Sequence, residues 1–294
     1  MVALVVAGLA LAAALPAQAS LRDGYIPWPT LLPGLQVGPK GPPRPMPGCR
    51  HLRVRCVSRL VKRLHREWTS ENARCDHRAI FSIAYERITR SIRNRLAHHT
   101  TFRYRPWFIS VVQAFSDEYF ATQRRYDAGK AVPGAWRIYY QETASGNDNA
   151  GQDLLLASNA HTNHDLPYAY AAAGLLTPGG TSRKHDHDAV NAVNASVFKG
   201  LATYYAAHYD PFFDAINKTE PFDQLSTLQV VQTWRESAWR EAEQLVMARN
   251  NPELLRAVEA EIESTSVAWA NLIRSVQVPG YRATRDAYCQ AHRA

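Results

Sequence analysis

Residues 76–98 read DHRAIFSIAYERITRSIRNRLAH, and this stretch indicates the fold class of the chain. Its apolar side chains recur at helical spacing and lie opposite a stripe of arginines: Ile80, Ile83, Ala84, Ile88, Ile92 and Leu96 against Arg87, Arg90, Arg93 and Arg95. This pattern predicts an amphipathic helix that buries one face.

Helical periodicity continues through most of the chain. It predicts further helices over 107–126, from about 132 past Trp136 to the polar loop 144–149, and over 152–175, 186–208, 223–249 and 252–276. No run of alternating apolar and polar residues indicates a sheet. Because short connections favour antiparallel neighbours, we expect an all-α fold, an irregular antiparallel helical bundle forming a single domain over 49–294.

The N-terminal part differs in composition from the rest. Residues 1–19 form an apolar run ending in Ala17-Gln18-Ala19, which predicts a signal peptide that is removed and a secreted or extracytoplasmic protein. An uncleaved anchor is the alternative, since the usual basic residues before the apolar run are missing. Residues 20–48 are rich in proline and glycine, which predicts an extended linker.

Four cysteines in an exported chain favour disulfides over thiolate metal sites. Spacing alone does not separate the three pairings. We favour Cys49 with Cys56, which would close a small loop, and Cys75 with Cys289, which would tie the first core helix to the C-terminus.

The formal charge of +8 is concentrated before the first core helix. The basic residues of this run are Arg50, Arg53, Arg55, Arg59, Lys62, Arg63 and Arg66. A basic surface attracts polyanions, so an anionic polymer is a candidate substrate beside a small molecule, and a membrane surface is a candidate partner. Nucleic acid is disfavoured because no aromatic residues interleave with the arginines. A solvated, arginine-rich helix face is the interpretation of this run that we favour, and the sequence leaves the oligomeric state open.

The least ordinary segment is Asn159-Ala160-His161-Thr162-Asn163-His164-Asp165-Leu166-Pro167. On a helix, His161, His164 and Asp165 share one face and could converge on one ion. Pro167 would bend that helix and leave the carbonyl of Asn163 without a donor.

A second polar cluster covers 182–188 and continues to Asn191. Together the two clusters predict a metal site in the bundle, with His161, Asp165, His187, Asn191 and Asp186 as ligands. Lys184 and His164 are the predicted catalytic residues. The cofactor would be a divalent metal, with zinc favoured over iron or manganese. A metal-free polar network and surface exposure are the alternatives, and Asp186 could instead cap a helix.

Several strings resemble an uncharacterised, mostly actinobacterial family that is known only as a domain of unknown function. These strings are Cys75-Asp76-His77-Arg78-Ala79, the segments 159–167 and 182–188, Trp234-Arg235-Glu236-Ser237-Ala238-Trp239-Arg240 and Arg285-Asp286-Ala287-Tyr288-Cys289. The resemblance covers roughly Cys49 to Cys289, and it implies a bacterial, extracytoplasmic setting and the Cys75–Cys289 pairing.

A much weaker likeness points to the zinc-dependent phospholipase C and P1-type nuclease group. His161 and Asp165, followed by a proline, correspond to the H-x-x-x-D pair of that group. The chain departs from the group at Ser20, where those enzymes have a tryptophan, and at Asn191, where they have glutamate.

Three functions compete at this level. The first is a secreted metal-dependent hydrolase, phosphoesterase-like, in which metal-bound water attacks the substrate. The second is a non-enzymatic binding protein of the cell envelope that uses the basic surface. The third is a metal-dependent oxidoreductase. The motifs of zincins, nucleophile-elbow hydrolases, P-loop proteins and dinucleotide-binding proteins are absent from the sequence.

Overall fold

The computed structural model describes residues 28–98, 101–211 and 222–292. The signal peptide predicted for residues 1–19 lies outside these ranges. The described helices are α1 (Val54–Asn72), α2 (Ala79–His98), α3 (Arg105–Asp127), α4 (Gly134–Ser145), α5 (Ala150–Asn159), a π-helix (Ala160–Asp165), α6 (Leu166–Ala173), α7 (Lys184–His208), α8 (Phe222–Ala248), α9 (Pro252–Arg274) and α10 (Tyr281–His292).

The predicted all-α bundle is confirmed. In the described ranges the chain has only isolated β-bridges, and its helices pack into one body. Helix α1 lies along α2, α6 lies between α3 and α8, and α9 covers α4 and α5. Four tryptophans are fully buried in the core: Trp107, Trp136, Trp234 and Trp239. None of the described helices is both long enough and apolar enough to cross a membrane.

Helix α1 was not among the predicted core helices, because its many arginines hide a narrow apolar stripe. Val57, Leu60, Val61 and Leu64 form that stripe and are buried against the bundle, while the basic residues between them face solvent. A helix can bury one apolar stripe against its neighbours while charged side chains cover its remaining faces.

Both favoured disulfides are present. Cys49 pairs with Cys56, and Cys75 pairs with Cys289 across a sequence separation of 214 residues. The second bond joins the turn before α2 to α10. Two disulfides are typical of proteins in an oxidising, extracytoplasmic environment.

The proline-rich segment 28–48 is irregular, apart from a short 3-10 helix at Trp28–Leu31, but it does not stand clear of the bundle. Lys184 Nζ donates to the Pro29 carbonyl at 2.8 Å, and Arg183 donates to the Gly41 carbonyl at 2.7 Å. The backbone N–H of Leu35 donates to Glu243 at 2.7 Å. An extended proline-rich backbone has few partners of its own, so side chains of α7, α8 and the loop before α7 supply them.

Candidate functional site: two buried histidine and carboxylate centres

Within the segment 159–167, residues Ala160–Asp165 form a π-helix between α5 and α6. The N–H of Leu166 bonds to the carbonyl of His161, five residues earlier, in place of the usual four. Pro167 has no N–H to offer to the Asn163 carbonyl, as the sequence predicted, and a wider turn accommodates this loss. Single π-helical turns of this kind are frequent at functional sites.

The first centre is built around Asp165, which is buried at the end of the π-helix. His161 Nδ1 lies 2.9 Å from one carboxylate oxygen, and His164 Nδ1 lies 2.8 Å from the other. The indole N–H of Trp136 donates to the same carboxylate at 3.0 Å. Burial alone would raise the pKa of Asp165, but the hydrogen bonds from the two histidines outweigh it and hold that pKa below its usual value.

These contacts fix the protonation of His161. Since Asp165 is ionised and can only accept, Nδ1 of His161 carries the hydrogen. Burial lowers the pKa of His161 against the opposing effect of Asp165, so the ring is neutral and Nε2 is an acceptor. The ring stacks on Phe115 with 3.4 Å between centroids, and Nε2 has no hydrogen-bond partner.

His164 belongs to this first centre. Its Nε2 lies 3.5 Å from Glu263, and its side chain is 17% exposed. Burial opposes protonation of His164, but Asp165 and Glu263 outweigh that effect and raise its pKa.

The second centre joins α7 to α8. Ligand atoms of His187, Asp188 and Glu236 all lie within 4.8 Å of one another, and the side chains of His187 and Glu236 are buried. Lys184 lies among them, with Nζ at 2.7 Å from Asp188 Oδ1 and 2.9 Å from Glu236 Oε2. One ammonium group therefore contacts both carboxylates, and Arg240 supplies a second positive charge to Glu236 at 2.7 Å.

The orientation of His187 is set from its other side. Nδ1 lies 2.8 Å from the Tyr170 hydroxyl, and Arg235 donates to the His187 carbonyl at 2.7 Å. Nε2, which faces the carboxylates, has no hydrogen-bond partner. Burial, reinforced by the positive charges of Arg235 and Lys184, holds the pKa of His187 well below its usual value, so the ring is neutral.

Burial raises the pKa of Asp188 to about 6, although Lys184 acts in the opposite direction. This carboxylate is therefore ionised at neutral pH and protonated in mild acid.

Two of the predicted metal ligands make other contacts. Asp186 accepts hydrogen bonds from the backbone N–H groups of Arg103 and Tyr104, at 2.8 and 2.6 Å, just before α3 begins. Asn191 accepts a hydrogen bond from Arg235 Nε at 2.9 Å. Asp186 therefore joins α7 to the turn before α3, and Asn191 joins α7 to α8.

The predicted residues thus form two centres instead of one common site. Within the described ranges, the group formed by His187, Asp188 and Glu236 is the single cluster of three such ligand atoms, and it includes neither His161 nor Asp165. The centres nevertheless border one interior cavity, with His161 on one side and Tyr170 and Arg235 on the other.

Sequence reasoning missed Asp188 and Glu236 as members of the site. Asp188 lies in the second polar cluster, 182–188, but is not among the predicted ligands. Glu236 follows Trp234 and Arg235 in one of the strings that carry the family resemblance. Its position one turn before Arg240, which binds it, gave it the appearance of a surface ion pair.

The fold and the site place the chain in the class of all-α domains. It has two disulfides and two buried centres of histidine and carboxylate side chains. A family model described as a family of unknown function (DUF5995) matches residues 57–276, and the chain belongs to this family. The resemblance to a domain-of-unknown-function family is confirmed by this match. Neither the curated proteins nor the solved structures contain a match to the chain.

Proposed function

We propose that the protein is an exported metal-dependent hydrolase, phosphoesterase-like, that binds a divalent cation, with zinc favoured, at His187, Asp188 and Glu236. One observation carries the proposal: a neutral, buried imidazole nitrogen without a hydrogen-bond partner faces two carboxylates at ligand spacing. A nitrogen and two oxygen ligands, with a further position open to water, is a donor set that suits catalytic zinc.

The surroundings of His187 support metal binding at Nε2. A histidine that binds metal through one nitrogen usually donates the hydrogen of the other to a neighbouring oxygen, which fixes the ring. The Tyr170 hydroxyl lies at that place, 2.8 Å from Nδ1. Tyr170 is itself buried, so the imidazole would be held firmly.

Lys184 competes with the metal in this scheme. Its ammonium contacts the same two carboxylate oxygens that would bind the cation, so the cation must displace it. A displaced Lys184 would remain beside the metal, where a positive charge stabilises the negative charge that develops on a phosphoester. This is the catalytic role expected for Lys184 from the sequence.

Metal content tests the proposal directly. We expect the purified full-length protein, after incubation with zinc and desalting, to hold close to one zinc per chain by elemental analysis. His187→Ala should lose this zinc because it removes the nitrogen ligand. His185→Ala is the matched control, because His185 lies on the same helical turn but its partly exposed ring contacts Asp186.

Hydrolysis of p-nitrophenyl phosphate and of its diester provides the activity measurement. Activity should fall by at least about a hundredfold in Glu236→Gln if this carboxylate holds the metal. Metal below one-tenth of stoichiometry in the wild-type protein, unchanged by His187→Ala, would refute the metal site.

A second candidate function is the binding of anionic polymers of the cell envelope, and one observation favours it. Four arginines and His51 surround an open pocket of about 370 Å³ beside the Cys49–Cys56 disulfide: Arg50, Arg53, Arg55 and Arg59. No carboxylate lines this pocket, so the positive charges are not neutralised locally.

Sedimentation with anionic liposomes or with purified wall polymers tests the second function. Binding should weaken steeply with salt, and Arg53→Glu combined with Arg59→Glu should abolish it. Arg249→Glu, at an exposed arginine outside the pocket, is the control for net charge. Binding that survives the double reversal would rule out this pocket.

A further inference from the structure

The interior cavity between the two centres has features that neither function uses. Its volume is about 90 Å³, and most of its wall is apolar, with Phe81, Val111 and Leu154 among the lining residues. An engineered apolar cavity of about 150 Å³ holds benzene, so in proportion this cavity holds about four non-hydrogen atoms.

Three buried polar atoms without hydrogen-bond partners belong to side chains that line the cavity. They are His161 Nε2, the Tyr85 hydroxyl and Asn194 Oδ1. His161 is 3% exposed and Tyr85 and Asn194 are each 7% exposed, so bulk water does not reach them freely. A buried polar atom without a partner destabilises the fold, and three of them around one cavity indicate that something else satisfies them.

The hydrogen-bonding character of these atoms restricts what can fill the cavity. Neutral His161, whose hydrogen lies on Nδ1 toward Asp165, offers a lone pair at Nε2. Asn194 Oδ1 also accepts. Burial raises the pKa of Tyr85 well above its usual value, so its hydroxyl stays protonated and both donates and accepts.

Charged molecules do not fit this environment. Two acceptor atoms would repel an anion. A cation would lose its hydration in an apolar cavity without a lining carboxylate. Arg235, a charged side chain of the wall, already donates to Asn191 and to the His187 carbonyl.

We infer that this cavity binds a small neutral alcohol, of about four non-hydrogen atoms, whose hydroxyl donates to His161 Nε2 and accepts from Tyr85. The alkyl part lies against the apolar wall. None of the proposed metal ligands, His187, Asp188 and Glu236, lines the cavity, so the inference does not depend on hydrolase activity.

The test compares two probes of equal skeleton. 2-Propanol and acetone have the same four non-hydrogen atoms, but only 2-propanol can donate a hydrogen bond. Each is titrated into the full-length protein to about 100 mM, a range suited to ligands of this size, while the ¹⁵N resonances of the histidine rings are recorded. We expect 2-propanol to shift the Nε2 resonance of His161 and to bind at least fivefold more tightly than acetone.

Variants then locate the binding. Ala84→Val places two methyl groups at a lining position and should abolish the shift, while Tyr85→Phe should weaken 2-propanol binding at least threefold. Tyr140→Phe is the matched control, because Tyr140 also has a hydroxyl without a partner but lies outside this cavity. If Ala84→Val does not fold, Tyr85→Phe still decides the question.

Three outcomes would overturn the inference. No shift of the His161 resonance with either probe would mean that the cavity holds only water. Equal affinities for the two probes would remove the hydrogen-bond argument. A shift that persists in Ala84→Val and in Tyr85→Phe would place the binding elsewhere.

Discussion

Replacing Lys184 by methionine would separate a metal centre from a purely structural polar network. In the wild-type protein, Nζ lies 2.7 and 2.9 Å from two carboxylates, and the three side chains are 13% exposed or less. Methionine fills similar space without charge. Lys184→Met therefore leaves Asp188 without its cation and close to Glu236, which keeps its contact with Arg240 at 2.7 Å.

The expected loss of stability is large. Removing one partner of a buried ion pair costs about 3–5 kcal/mol, since the other partner stays buried and uncompensated. Zinc that binds where the Lys184 ammonium was should restore part of the lost free energy of unfolding. At a free concentration of about one hundred times the dissociation constant, a ligand that binds only the folded state adds about 2.7 kcal/mol.

Urea unfolding at about pH 7.5, in buffered zinc and in chelator, measures both quantities. At this pH Asp188, whose pKa burial raises to about 6, is ionised. Relative to the wild-type protein in chelator, Lys184→Met should lose about 4 kcal/mol in chelator and only about 1–2 kcal/mol in zinc. The loss in chelator should shrink near pH 5, because Asp188, whose pKa burial raises to about 6, then becomes protonated.

Arg285→Met is the matched control. Arg285 is 1% exposed and binds buried Asp153 at 2.7 Å, so its removal should be equally costly. Asp153 lies in no group of three ligand atoms in the described ranges, so zinc should stabilise Arg285→Met no more than it stabilises the wild-type protein. Equal effects of zinc on the two variants, or none on either, would refute the metal-centre reasoning.

Three further outcomes are expected. Removing the disulfide Cys75–Cys289 should lower the free energy of unfolding by about 5 kcal/mol, and removing Cys49–Cys56 should lower it by about 2.5 kcal/mol, because the longer loop restrains the unfolded chain more. Equal losses in urea titrations of the two variants would contradict this. Burial raises the pKa of Glu71 to about 8, so on raising the pH the unfolded state loses this proton before the folded state does, and the free energy of unfolding should fall between about pH 4.5 and 8. Glu71→Gln should flatten this pH dependence, and an unchanged dependence would be evidence against the raised pKa of Glu71. Trp136→Phe removes a donor to Asp165, so acid unfolding, followed by circular dichroism, should move to higher pH, and an unmoved midpoint would argue against this contact.

The helices of the core could be predicted from the sequence because their apolar periodicity is clear. Helix α2 is the best example, since Ile80, Ile83 and Ala84 are buried as the spacing requires. Helix α1 was harder to predict as part of the core because charge dominates its composition. The packing of segment 28–48 could not be predicted, since it depends on cations that lie far away in the chain, such as Lys184 and Arg240.

The site was predicted in part. His161, Asp165 and His187 are buried as expected, and Pro167 does leave the helix irregular. The partners of each histidine could not be predicted, because helical spacing gives the face of one helix but not the neighbour that it meets. Glu236 meets His187 only through the crossing of α7 and α8.

The bond between Cys75 and Cys289 has a consequence for how the chain matures. A ribosome makes the chain from its N-terminus, so the thiol of Cys75 must wait for more than two hundred residues before its partner exists. Helix α10 is therefore synthesised after the other described helices, and its Cys289 fixes the turn before α2 covalently. A chain cut short before residue 289 would keep an unpaired thiol, and this would give a quality-control system a chemical mark of an incomplete product.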